Sequence, residues 1–287
     1  GGRAAVPAFD AERAWRHLEV QVAAGPRPVG SPALETTRQY LEKELRSYGL
    51  TPLRESFKAN TPVGEIAMTN VYADLVPKDA PANSVMLILG SHYDTKRFEF
   101  PFVGANDGGS STAVLLELAR VIAAGEARPV TYRFLFLDGE EALRATWHDP
   151  DNRYGSKHHA AQLKASGAIP RVKAFVLLDM VGDKDLKIRR DQYSSPWLLE
   201  FFAGAARDNG LGAHVDGTLE RVMDDHLSFL EYGVPSVDLI DFDYGPDNAW
   251  WHTADDTLEH CSKASLATIG AIVLHGLPAV EERVRAK

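Results

Sequence analysis

"FLFLDGEEALRATW", residues 134–147, decides the fold. Four apolar residues, Phe134 to Leu137, head for an interior and stop at Asp138, Gly139 and two adjacent carboxylates, Glu140 and Glu141. A run this apolar ends in paired like charges for one of two reasons. The strand has surfaced and both acids face water, an ordinary outcome in a chain with 40 Asp and Glu residues. Or one glutamate holds a metal while its neighbour moves protons. The choice depends on what else arrives at the same place.

Other runs resemble this one. Residues 68–76, 85–90, 130–137, 172–178 and 234–240 are nearly continuous in apolar residues, the pattern of strands covered on both faces. Helical patterns lie between them at 32–47, 111–124, 156–165, 196–209 and 263–285. The second has Val114, Leu115, Leu118, Ala119 and Ile122 on one face, with Ser110 or Ser111 as N-cap. Alternation of strand and helix predicts an α/β fold: a three-layer sandwich with a central mixed, mostly parallel sheet flanked by helices. Residues 96–103 and 241–250 read as long loops whose aromatic side chains are candidates for pocket walls.

The 287 residues are 45% hydrophobic and 25% charged, as in ordinary globular proteins. No repeat or long Pro/Gly/Ser linker divides them, so the expectation is a single catalytic domain over 1–287. A net charge of −9 argues against nucleic acid as a partner. The one compact basic group, residues 187–190, is broken by Ile188 and reads as a solvated turn. No apolar run approaches the roughly 18 residues of a membrane span. Cys261 is alone, which rules out an intrachain disulfide and a site built from several thiolates. The Gly1-Gly2 start, without Met, fits a processed chain. Loss of a signal peptide would favour a secreted or periplasmic location.

Each strand pattern delivers polar residues at its carboxyl end, where ligands bind in open α/β sheets. Residues 85–90 run into Ser91-His92-Tyr93-Asp94, residues 130–137 into Asp138-Gly139-Glu140-Glu141, and residues 172–178 into Asp179. Residues 234–240 lead through a loop to Trp251-His252-Thr253, and Asp107 precedes a helix. Singly these are a core histidine, an N-cap or a surface imidazole. Together, imidazole nitrogen and carboxylate oxygen without thiolate suit Zn²⁺ in a catalytic site with an open position. A further Glu beside a ligating Glu suits a general base.

"SHYDT", "GANDGGSSTAVLLELAR", "LDGEEAL", "LLDMVG" and "WWHTADD" resemble, in order, the metal-site motifs of the zinc aminopeptidase superfamily. "TPVGEIAMTNVYA", Trp147 with "HDPDNRYGSKHHAAQL", "MDDHLSFLEYGVP" and Trp251 before the ligand His are similar to its animal-type glutaminyl cyclases. The resemblance implies one Zn²⁺ per chain on Asp107, Glu141 and His252. It implies Glu140 as proton shuttle, Asp179 and Asp224 as a catalytic carboxylate network, and Trp147, Trp251 and Tyr244 as substrate-binding residues. Met223 stands where these cyclases carry Gln, and Asp238 where they carry His. It implies a cis peptide between Asp107 and Gly108. The expected activity converts N-terminal glutamine of peptides or proteins to pyroglutamate with release of ammonia, by a monomer. The alternative is a di-zinc aminopeptidase, with His92 and Asp179 completing a second metal site. A non-catalytic binding protein of the same fold is a third possibility, disfavoured because every ligand position is kept.

Overall fold

The architecture below is that of a computed structural model and describes residues 8–81 and 84–286. The Gly1-Gly2 start lies outside the described residues. Helices α1 (Ala11–Ala23) and α2 (Pro32–Ser47) come first. They are followed by β1 (Leu53–Thr61), β2 (Gly64–Leu75), β3 (Met86–His92), α3 (Ser111–Ala124), β4 (Thr131–Leu137) and α4 (Tyr154–Ala165). Then come β5 (Val172–Asp179), β6 (Ile188–Asp191), α5 (Pro196–Asp208) and β7 (Val215–Glu220). A short α6 (His226–Leu230), β8 (Ser236–Ile240) and the long α7 (Lys263–Arg285) complete the chain. Side-chain caps start several helices. Asp10 accepts the N–H groups of Glu12 and Arg13, Ser31 that of Leu34, and Ser262 that of Ser265.

The central sheet has six strands in the order β1-β2-β4-β3-β5-β8. The β1–β2 and β2–β4 pairs are antiparallel, while β4–β3, β3–β5 and β5–β8 are parallel. A separate parallel pair joins β6 to β7. The expected mixed sandwich is therefore present, and its parallel half brings the carboxyl ends of β3, β4, β5 and β8 to one edge.

The sheet is covered on both faces because its strands are apolar on both. Along β4, Phe134 and Phe136 join the core under α1, α2, α3, α5 and α7, while Leu135 and Leu137 join the core under α4 and α6. On the second face Phe175 stacks on Phe229 of α6 at 4.1 Å. Each such buried side chain contributes about 1.5–3 kcal/mol of transfer free energy. Contrary to the expectation that no apolar run approaches a membrane span, helix α7 is long and apolar enough to cross one by length and composition. Here Leu266, Ile269, Val273, Leu277, Val280 and Val284 sit in the larger core.

Five elements depart from the sequence expectations. Helices α1 and α6 and strands β1, β6 and β7 were not marked by the apolar runs. Strand β1 is an edge strand with mostly exposed or half-exposed residues, so it lacks the two-sided apolar signature. Residues 187–190 are not a solvated turn. Ile188 is buried and starts β6, while Arg189 pairs with Glu220 at 2.5 Å and Arg190 with Glu200 at 2.5 Å.

His17 of α1 is buried between two tyrosines, its Nδ1 2.6 Å from the Tyr40 hydroxyl and its Nε2 3.2 Å from that of Tyr48. Burial, then the charges of Arg13, Arg16 and Arg120, push its pKa down from 6.5 to about 3. Below pH 6.5 the unfolded chain takes up a proton that the folded chain refuses, so stability falls with pH over this window. The expected loss between pH 7 and pH 5 from this one group is about 2 kcal/mol. Urea unfolding at the two pH values should show a smaller pH dependence in His17→Gln than in the wild type. Equal pH dependence in the two would place the acid sensitivity elsewhere.

A candidate metal centre at the strand ends

The answer to the opening question lies where β4 ends. Leu137 is the last strand residue, and the chain then turns through Asp138 and Gly139, the latter at φ +69°. Gly139 is needed there, since a Cβ would lie 2.5 Å from Met68 Sδ. The turn is pinned from several sides. Asp138 accepts the Thr69 N–H at 2.7 Å and Arg38 Nη2 at 3.1 Å. Arg153 and Tyr154 donate their N–H groups to the carbonyls of Glu140 and Gly139, each at 2.8 Å. Both glutamates are buried, so the solvated reading of the pair fails.

Asp94, just beyond β3, holds the pair in place. Its Oδ1 accepts the Glu140 N–H at 3.1 Å and its Oδ2 the Glu141 N–H at 3.3 Å. A second carboxylate does the same for Asp107: Asp256 accepts the N–H of Asn106 at 2.7 Å and of Asp107 at 3.1 Å. Neither acid was singled out from the sequence, although "SHYDT" and "WWHTADD" contain them. The signal was present in the motif spelling, but its role emerges only from which backbone groups converge.

Two sets of side chains meet at Asp107. His252 Nε2 lies 3.1 Å from Asp107 Oδ2 and 3.3 Å from Glu141 Oε1. His92 Nε2 lies 3.2 Å from Asp107 Oδ1 and 3.2 Å from Asp179 Oδ1. In each set, one potential ligand atom per residue falls within 4.8 Å of the others. The chemistry of these donors fits a cation. They are imidazole nitrogens and carboxylate oxygens, and Glu141 Oε2 is buried with no hydrogen-bond partner. The nearest ammonium, Lys96 Nζ, stands 3.9 Å from it while donating to the carbonyls of Ala142 and Arg144.

The expected cis peptide is absent. Among the described residues the cis bond is Asp149–Pro150, and the Asp107–Gly108 bond is not cis. The chain makes its bend through dihedral angles instead, with Asp107 at ψ 105° and Gly108 at φ +82°. A Cβ at Gly108 would lie 2.8 Å from the Asp94 carbonyl oxygen and 3.0 Å from His92 Cε1. Two non-glycine residues at the site, His252 (φ +53°) and Met180 (φ +48°), also adopt left-handed backbone.

These groups line a cavity of about 240 Å³. Glu140, Asp179 and Asp224 stand in its wall with Trp147, Trp251 and Met223. Trp251 stacks on His252 with ring centroids 4.0 Å apart, and Phe98 meets the same imidazole edge-on at 5.5 Å. Tyr244 does not line the cavity. It is fully buried, and its hydroxyl donates to Asp256 at 3.0 Å, so its contact is with the support of Asp107. Its aromatic neighbours drew attention to the loop, but its ring turns into the core against Trp250. Asp238 is also fully buried and 3.8 Å from His226 Nδ1, whereas Met223 is half-exposed.

So many buried acids cannot all ionise freely. Burial drives the Glu140 carboxyl well above its usual range, with Glu141 and Asp224 adding to the shift and His92 opposing it. Asp224 is raised to about 7, by burial and then by Asp179. Asp179 is raised to about 6 by burial against the pull of His92. Asp107 goes the other way: burial would raise it, but hydrogen bonds with His252 and His92 prevail and lower it. His252 rises to about 10, burial being outweighed by Glu141 and Asp107. The arrangement combines a cation-seeking cluster with an adjacent carboxyl able to hold a proton near neutrality.

Comparisons with known proteins identify the family. Residues 70–277 match the model of peptidase family M28. A glutaminyl-peptide cyclotransferase-like protein of Bos taurus is 33% identical over 295 residues, covering 89% of this chain and 72% of that protein. A crystal structure of an Acidobacteriales bacterium glutaminyl cyclase superposes with a TM-score of 0.91 at 35% identity, covering 99% of this chain and 98% of the other. A Zn-dependent exopeptidase from Parabacteroides distasonis has the same fold at 26% identity and a TM-score of 0.84, covering 94% of this chain and 98% of its own. The chain therefore belongs to peptidase family M28, among its glutaminyl-peptide cyclotransferase relatives.

Proposed function

We propose that this chain, acting over 1–287 as one catalytic domain, is a zinc-dependent glutaminyl-peptide cyclotransferase. It converts N-terminal glutamine of peptides to pyroglutamate and releases ammonia. The observation that carries the reading is the small cavity in which Trp147 and Trp251 flank Glu140 beside Asp107, Glu141 and His252. One zinc ion held by Asp107, Glu141 and His252 would supply Lewis-acid polarisation of the substrate's γ-carboxamide carbonyl.

The chain's own residues do the rest. The tryptophans give apolar walls for the short glutamine stem. The Trp147 indole Nε1 is buried without a hydrogen-bond partner. Glu140 accepts a proton from the α-amine as that nitrogen bonds to the δ-carbon, the carbonyl carbon of the γ-carboxamide, then gives it to the departing amide nitrogen, which leaves as ammonia. A carboxyl raised by burial and by Glu141 serves both steps. Asp179 and Asp224 line the same cavity as Glu140 and form the carboxylate network around it.

A second reading keeps a foothold. His92, Asp107 and Asp179 form a further possible metal group, so a di-zinc aminopeptidase is its basis. Mass spectrometry of a Gln-initiated peptide separates the two: cyclisation removes ammonia, about 17 Da, whereas a peptidase removes a whole residue. Elemental analysis should give one zinc per chain, and two tightly bound equivalents would favour the peptidase.

The glutamate pair gives the sharpest test. Glu141→Gln should lose zinc, because a neutral amide oxygen is a poorer ligand. Glu140→Gln should keep zinc and lose at least about 10² in turnover, the usual worth of general acid–base catalysis. Small, equal effects in both would remove the pair from the mechanism. Trp251→Ala should raise KM for glutamine peptides while zinc content holds, and unchanged kinetics would make Trp251 a packing residue only.

A further inference from the structure

We propose that the cavity mouth carries a subsite for an acidic residue directly after the N-terminal glutamine, with Arg221 as the residue that selects it. The inference rests on the cyclotransferase reading above and adds a substrate class to it.

The cavity dictates where the second residue goes. About 240 Å³ is below the 300–1,000 Å³ of pockets that engulf drug-sized ligands, and matches roughly one residue. The peptide must leave across the rim. Part of that rim is the segment after β7, residues 221–224, all four of which line the cavity. Burial alternates along it: Val222 and Asp224 are buried, while Arg221 and Met223 are exposed, as in an extended chain with one face inward. The segment is anchored on β6 and the residue after it. The Val222 N–H donates to Asp191 Oδ1 at 3.2 Å, and the Gln192 N–H to the Glu220 carbonyl at 2.8 Å.

Arg221 is oriented but not neutralised. Its Nε donates to Gln192 Oε1 at 3.1 Å, and none of the ion pairs among the described residues includes it. The neighbouring Glu220 and Asp243 are already taken by Arg189, at 2.5 and 2.6 Å. Lys96, the other lysine or arginine in the cavity wall, is buried and occupied by two carbonyls beside Glu141. The two terminal guanidinium nitrogens of Arg221 are thus available to a carboxylate in a bidentate pair. One turn of extended chain away, the half-exposed Met223 offers an adaptable apolar contact to that side chain's stem.

The expected sign is opposite to that of the molecule as a whole. A net charge of −9, with acids lining the cavity, favours a basic residue after the glutamine. Preference for an acidic one needs a local cation. The test uses Gln-Glu, Gln-Ala and Gln-Lys dipeptide amides, which confine the variable charge to the second side chain. Wild type should show kcat/KM about fivefold higher for Gln-Glu than for Gln-Lys, carried by KM and shrinking with added salt, as for a partly exposed ion pair. Arg221→Ala should abolish that ratio and Arg221→Glu should invert it, with zinc content and Tm monitored in both. Equal or Lys-favouring rates in wild type, or a ratio unchanged in both variants, overturns the subsite. If wild type cyclises none of the three, the cyclotransferase reading fails and the subsite with it; if Gln-Ala is cyclised without charge preference, the subsite alone fails.

Discussion

Everything at this site depends on one carboxylate accepting two successive backbone N–H groups. Asp94 leaves the end of β3 and takes those of Glu140 and Glu141 at the end of β4. The turn after a strand exposes donors that no ladder satisfies, and leaving such donors buried and unpaired costs about 1–3 kcal/mol each. Asp94 satisfies both and so ties two neighbouring strand ends together. Asp256 does the same for Asn106 and Asp107. The site's geometry is therefore set by acids that bind backbone, which leaves Glu140, Glu141 and Asp107 to face the cavity.

That solution concentrates charge. Asp94, Asp107, Glu140, Glu141, Asp179 and Asp224 are all buried within a few residues' reach of each other. In the chain alone, protons and imidazolium groups must balance them, which is why His252 rises and the Glu140 and Asp224 carboxyls are pushed up by burial. A divalent cation does the same balancing at a single point and expels protons as it binds. Fold and metal chemistry are thereby linked: the sheet can bury these acids only if something positive sits among them.

Much of this was legible in the amino-acid order. Strands β2, β3, β4, β5 and β8 and the helices at 32–47, 111–124, 156–165, 196–209 and 263–285 were visible, because two-sided burial leaves continuous apolar runs and helical faces leave a period near 3.6. The convergence of His92, Asp107, Glu141, Asp179 and His252 could be anticipated because ligands collect at the carboxyl ends of parallel strands. Strand β1 escaped notice because an edge strand needs little apolar surface. The basic group around Ile188 was misread because its arginines lie against acids distant in sequence. Tyr244 was placed in the pocket by its loop, but hydrogen bonding to Asp256 turns it inward. The trans geometry of the Asp107–Gly108 bond had no local signature to oppose the resemblance.

The left-handed backbone at His252 bears on how this position can change over evolutionary time. A residue there must satisfy two unrelated filters: it must tolerate φ +53°, and it must present a nitrogen or oxygen toward Asp107 and Glu141. Asparagine and aspartate pass the first filter comfortably but have shorter side chains, while glutamate and cysteine could coordinate a metal but fit that backbone poorly. Neither group meets both filters as fully as histidine does, so backbone and donor chemistry together narrow the replacements open to this position.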